Sequence, residues 1–215
     1  TSSLSIPAVS CPTPSVSVAA SSSTICSGTN VTFTATPTNG GTTPTYQWKN
    51  NGTAIIGATN ATYSSTTLAN GNLITCVMTP AAPCNSSSAT SNTITMVVNT
   101  VVTPSVSIAA SSSTICSGGS ATFTATPTNG GSAPTYQWKL NGNNIIGTTG
   151  SSYTSSSFSN GDVVSVVMTS SAACYTSQTA TSNSVTMTVN QNLVPSVSIA
   201  ASVNNICSGT PVTFT

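Results

Sequence analysis

The chain has 215 residues, of which two are Lys or Arg, one is acidic and none is His, leaving a formal net charge of +1. Charged residues make up 1% of it, against roughly a quarter in an ordinary domain, while Ser and Thr supply about 38%. This inventory excludes acid–base catalysis by His or paired carboxylates, calcium sites built from several carboxylates, and the Lys/Arg clusters that hold nucleic acid or anionic membranes.

In chain order, the first eight residues, TSSLSIPA, align with Ser91 to Val98 and read as the last strand of a preceding repeat, so that 1–12 is a strand and its linker. From Thr13 the apolar period is two, which predicts half-buried strands near Ser15 to Ala19, Val31 to Thr36, Thr45 to Lys49, Ala54 to Ile56, Ala61 to Ser65, Leu73 to Thr79 and Thr93 to Val98. Val31, Phe33 and Ala35 alternate with Thr32, Thr34 and Thr36, and Tyr46 and Trp48 flank Gln47. Turn chemistry separates the strands at Ser27-Gly28, Asn39-Gly40-Gly41, Asn51-Gly52 and Asn70-Gly71. The pattern then starts again. TPSVSVAASSSTICSG at Thr13 to Gly28 recurs as TPSVSIAASSSTICSG at Thr103 to Gly118 and as PSVSIAASVNNICSG from Pro195, a period of about 90 residues. The expected organisation is a repeat over 13–102, a second over 103–193 and the start of another over 194–215, a window on a longer array.

About seven short strands per repeat, no helical period and one Trp in the third strand predict an all-β fold of tandem immunoglobulin-like sandwiches. Phe33, Trp48, Phe123 and Trp138 are the expected core.

The string ICSG-xx-VTFTATPTNGG-xx-PTYQWK-xNG, with LANGNLITCVMT and later ATSNTITMVV, resembles the Ig-like or PKD-like repeats of very large secreted surface proteins of Bacteroidota, including gliding adhesins and cargo of the type IX secretion system. The resemblance covers the whole chain. It implies an extracellular, multi-domain stalk or adhesin, and imports nothing finer than a sandwich, because Gln47 to Gly52 stands where true PKD domains carry a WDFGDG-type turn.

Seven cysteines without His partners or CxxC spacing point to disulfides in an oxidising compartment and to no metal site. Cys26 and Cys84 recur as Cys116 and Cys174, and Cys207 repeats the first of each pair. Two pairings are open. Cys26 with Cys84 stays inside one repeat, but in an Ig topology the two lie at opposite poles, separated by a strand of roughly 26 Å, whereas bonded Cα atoms sit within about 7 Å. Cys26 with Cys174, in the following repeat, avoids that distance. Cys11 in the linker is a partner for Cys84, and Cys76, which stands where the second repeat has Val166, reads as a buried free thiol.

Lys49 and Lys139 follow the Trp at an expected hairpin edge, where a Lys guards against mispairing. Asp162, in Asn160-Gly161-Asp162, reads as a turn former. The function that follows has no catalytic residue and no cofactor. It is a structural repeat region of an extracellular filament, stalk or adhesin, with adjacent repeats as partners and lateral self-association of near-neutral chains. The alternative is adhesive binding of surface glycans through loops such as Thr38 to Pro44, with Tyr175 as an unpaired hairpin aromatic. A weaker one is ice binding by the Thr32, Thr34, Thr36 and Thr38 row, which strand twist disfavours. Sugars on the Ser/Thr faces are the expected protection against self-association. Neither membrane insertion nor nucleic acid is expected.

Overall fold

The computed structural model describes residues 12–82 and 87–215, and its regular structure is all β-strand. The chain divides into two compact units. The first comprises Thr1–Pro104 together with the short segments Asn129–Ala133 and Ser170–Gln178; the second comprises Ser105–Thr128, Pro134–Thr169 and Thr179–Thr215.

In the first unit, β1 (Ser15–Ala20), β3 (Val31–Thr38) and β6 (Thr62–Ser65) form one antiparallel sheet in the order β1-β3-β6. The other sheet runs β5 (Thr53–Ala54), β4 (Thr45–Asn50), β7 (Leu73–Thr79), β8 (Ala89–Thr90), with β9 (Ile94–Thr95) also on β7. Strands β2 (Thr24–Cys26) and β10 (Val97–Asn99) pair in parallel as a separate two-stranded patch. This order, with β1, β3 and β6 in one sheet and β4, β7 and β9 in the other, is the immunoglobulin-like sandwich. Alternation selects the inner faces: Val16 and Val18 of β1, Val31, Phe33 and Ala35 of β3, Trp48 of β4, and Ile74, Cys76 and Met78 of β7 are all buried. Phe33, Trp48 and Tyr63 form the centre, with ring centroids 5.9–6.0 Å apart. The indole N–H of Trp48 donates to the Asn60 carbonyl at 2.9 Å, which satisfies its one polar atom. Pro37 fits β3 because Ala35, two residues before it, donates toward the β6 side, at Ala61 O, and the β6 pairing ends at Thr34. No partner awaits an N–H at residue 37.

The second unit repeats the plan. Strands β11 (Ser105–Ala110), β13 (Ala121–Thr128) and β16 (Ser152–Ser155) form one sheet. The facing sheet runs β15 (Asn143–Asn144), β14 (Thr135–Leu140), β17 (Val163–Thr169), β18 (Thr179–Thr181), with β19 (Val185–Thr186) on β17. Strand β12 (Thr114–Cys116) pairs in parallel with β20 (Thr188–Asn190). Phe123, Trp138 and Tyr153 again form the centre, joined by Phe158 where the first unit has Leu68.

Several expected elements change. The strand expected over Ala54 to Ile56 is the two-residue β5. It closes the Asn51-Gly52 turn, where both residues have positive φ (50° and 81°), and Ile56 is fully exposed in the turn that follows. The strand expected over Thr93 to Val98 breaks at the buried Met96, so β9 serves the β7 sheet and β10 turns to β2. Cys26 ends β2, a strand absent from the expected set. Lys49 and Lys139 are not at an edge: Lys49 pairs with both Ala54 and Thr75, and Lys139 with Asn144 and Ser165. Each points to the sheet face opposite the buried Trp, where its charge stays solvated.

Candidate functional site

Cys26 and Cys174 are bonded to one another, with Cα atoms 5.6 Å apart, across 148 residues of sequence. Both belong to the first unit. Cys26 is placed by the parallel ladder of β2 on β10, in which Val97, Val98 and Asn99 face Thr24, Ile25 and Cys26. The ladder is extended by Ser27 N–H donating to Asn99 O at 2.9 Å and closed by Thr29 N–H donating to Cys26 O at 3.1 Å. Cys174 lies in the Ser170–Gln178 segment, which in sequence connects β17 to β18. Val102 N–H donates to Cys174 O at 3.1 Å, and Thr176 N–H donates to Val102 O at 2.9 Å, so the segment runs beside Val102 as a one-residue parallel bridge at Tyr175.

The segment is also held by the Asn129–Ala133 loop. Ser171 N–H donates to Gly130 O at 2.9 Å, Ala133 N–H donates to Ser171 Oγ at 2.9 Å, and Asn129 Nδ2 donates to Thr103 O at 3.1 Å. Gly131 has φ +81°, and a side chain there would run into the Ala172 nitrogen. Glycine is therefore required both for the backbone conformation and for the close approach. A groove of about 360 Å³ beside the cystine is lined by Ser22, Thr24, Ile25, Thr29, Asn99 and Ala173 along with the two half-cystines. Its described lining carries no ionisable side chain that could activate the hydroxyls of Ser22, Thr24 and Thr29 as nucleophiles.

The other candidate residues are placed as follows. Cys76 is a free, fully buried thiol opposite Trp48 on the neighbouring strand, and burial pushes its pKa up. Cys116 and Cys207 are exposed free thiols. Cys11 and Cys84, the remaining expected pair, lie outside the described residues. Phe33, Trp48, Phe123 and Trp138 are each fully buried. Asp162 works as a turn former: it accepts from Asn141 Nδ2 and from Ser159 N–H, each at 2.8 Å, and these bonds hold its carboxyl below the usual range. Tyr175 is partly exposed at 39%. Among the described residues no group of three or more His, Cys, Asp or Glu could hold a metal ion.

Two asparagines outside the apolar alternation also hold the sandwiches. Asn92 accepts from Val18 N–H at 2.8 Å and donates to Val18 O at 3.0 Å, a side chain standing in for a strand partner between the two sheets. Asn183 does the same for Ile108, at 2.8 and 3.1 Å. The recurrence of Ser-Asn in the two repeats is the trace it leaves in sequence.

No protein-family model matches the chain. Among curated proteins it is 32% identical over 183 residues to the highly immunogenic outer capsid protein of Enterobacteria phage T4. That match covers 80% of this chain and 46% of the phage protein, so the chain spans about half the length of its relative. Solved structures with similar arrangements include three N-terminal domains of the bacteriophage RB49 highly immunogenic outer capsid protein (15% identity, 82% of this chain and 59% of that one, TM-score 0.38). Fibronectin(III)-like modules of Clostridium thermocellum CbhA (18%, 81% and 94%, TM-score 0.36) and murine CEACAM1b (14%, 81% and 99%, TM-score 0.38) are others.

Proposed function

We propose that this chain is a structural repeat region of a surface-exposed extracellular protein, in which Ig-like sandwiches are strung in tandem to span distance and are joined by cystines. The repeats over 13–102 and 103–193 are the building units in this reading, with 1–12 and 194–215 belonging to their neighbours. The observation that carries it is the Cys26–Cys174 bond, which ties a cysteine of one repeat to a cysteine of the next. Such a bond forms and persists in an oxidising compartment. The near absence of charged groups supports the same reading, since it leaves no machinery for catalysis.

The phage relative is by name an outer capsid protein. The resemblance to Bacteroidota surface repeats extends the reading to a stalk or adhesin exported by type IX secretion, its Ser/Thr faces carrying sugars. The test is accessibility. On the intact cell or particle that bears the protein, an antibody to these repeats should bind, and a protease that cannot enter should release them; labelling that requires lysis would contradict the proposal.

A second reading, adhesive contact with surface glycans, has one observation in its favour, the partly exposed Tyr175 at the cystine segment. A glycan array probed with the whole chain and with Tyr175→Ala separates the two: binding lost in the variant would favour adhesion, and no binding by the parent favours the spacer.

A further inference from the structure

The surface that receives Cys174 is built twice and covered once. Around Cys26, β2 lies on β10 with Asn99 opposite the cysteine; around Cys116, β12 lies on β20 with Asn190 in that place. The backbone hydrogen bonds correspond, and the second surface adds Asn192 Nδ2 donating to Ser117 O at 3.1 Å. Ser27 N–H donates to Asn99 O and Ser117 N–H to Asn190 O; Thr29 N–H donates to Cys26 O and Gly119 N–H to Cys116 O. Ser22 Oγ donates to Thr24 O as Ser112 Oγ does to Thr114 O.

The two surfaces differ in cover. Ile25 is buried and Cys26 half-buried beneath the Ala173–Cys174 segment, whereas Ile115 is half-buried and Cys116 is an exposed thiol. A separate observation supplies the occupant. Residues 195–215 repeat the opening of a repeat in sequence and in register: Ala201 bridges Phe214 as Ala20 pairs with Phe33 and Ala110 with Phe123. Thr210 N–H donates to Cys207 O as Thr29 does to Cys26.

We infer that Cys116 is one half of a second cystine, and that its partner is the cysteine of a Cys174-type hairpin carried by the repeat that 195–215 opens. The inference rests on the tandem reading above. Bond formation requires a disulfide donor, here oxidised glutathione. The Cys116 thiolate attacks the donor and expels one glutathione thiolate, and the hairpin thiolate then attacks the Cys116 sulfur of the mixed disulfide and expels the second. Two protein thiols are oxidised, one donor disulfide is reduced, and the two protons pass to the glutathione thiolates.

The test extends the full chain at its C-terminus by residues 125–193 of its own sequence, which continue the third repeat in register from Thr215, and oxidises it in a glutathione buffer. With Tyr175→Phe made in the added copy so that its cysteine peptide has a distinct mass, non-reducing peptide mapping should find Cys116 linked to the added hairpin cysteine, in the same molecules that contain Cys26–Cys174. Cys116 left free or joined to Cys207, with Cys26–Cys174 formed, overturns this inference and leaves the tandem reading standing; absence of Cys26–Cys174 itself overturns both. A second arm changes the added cysteine to Ser. Alkylation of Cys116 should then slow about tenfold relative to the unextended chain, equivalent to about 1.4 kcal/mol of cover, and an unchanged rate overturns the proposal.

Discussion

The two sandwiches have separate cores of matching design and differ at the margins. Each packs a Phe, a Trp and a Tyr at the same register, with the indole nitrogen bonded to a backbone carbonyl twelve residues on. The differences sit where the core meets the surface. Asn50 of the first stands in place of Leu140, Asn72 in place of Asp162, and a cystine covers Cys26 but not Cys116. The comparison teaches that the fold is carried by the repeated apolar alternation. The individual character of each repeat is carried by a few polar or sulfur positions that the alternation does not constrain.

The largest expected effect tests the shared part. Trp48→Ala and Trp138→Ala should each cost about 3–5 kcal/mol, the range for emptying a large aromatic site. Hydrogen exchange of peptides from β4 and β14 should report the loss locally, and a much smaller cost in one repeat would break the equivalence of the cores. Next comes the cystine. Cys174→Ser should destabilise the first unit by about 2–5 kcal/mol and raise exchange at Val102 and Thr176, whose amides lie beside the bond, while β14 and β17 remain unchanged.

Much of this was legible. The period of two in Val31 to Ala35 and in Ile74 to Met78 marks inner faces, because a strand buried on one side can tolerate polar residues only on the other. Of the two open pairings the structure contains the one that distance favours, Cys26 with Cys174, because pole-to-pole distance constrains cysteines whatever the details of the turns. The parallel pairing of β2 with β10 was not legible. Three residues are too few to show a period, and the break at Met96 depends on a tertiary bond, its N–H donating to Asn72 O, that no local pattern announces. The hold of Asn92 on Val18 was hidden for the same reason: an Asn in a turn-rich stretch reads as turn chemistry.

A smaller effect sharpens the comparison at the margins. Asn50 Oδ1 is buried without a hydrogen-bond partner, whereas Leu140 brings no polar atom to the same place. Asn50→Leu should therefore stabilise the first repeat by about 1 kcal/mol, the low end of the cost of an unsatisfied buried group, and denaturant unfolding should move to a higher midpoint. The smallest effect belongs to Asp162. Its carboxyl titrates below the ordinary value because Asn141 and the Ser159 amide donate to the charged form. The stability it contributes is present above the unfolded-state pKa and is lost as pH falls through the lower folded value. Exchange in the Asn160 to Val163 turn should accelerate in acid, while the Asn70 to Leu73 turn, with Asn72, stays flat.

The bond between Cys26 and Cys174 is the most direct test. Non-reducing peptide mapping of the oxidised chain, with thiols blocked before digestion, should yield a linked pair of peptides containing these two cysteines, with Cys76 recovered as a blocked free thiol once unfolded. A linked pair containing Cys26 and Cys84 would contradict the arrangement, because it would close the first repeat on itself and leave the backbone as the one covalent link from Cys26's repeat to the next.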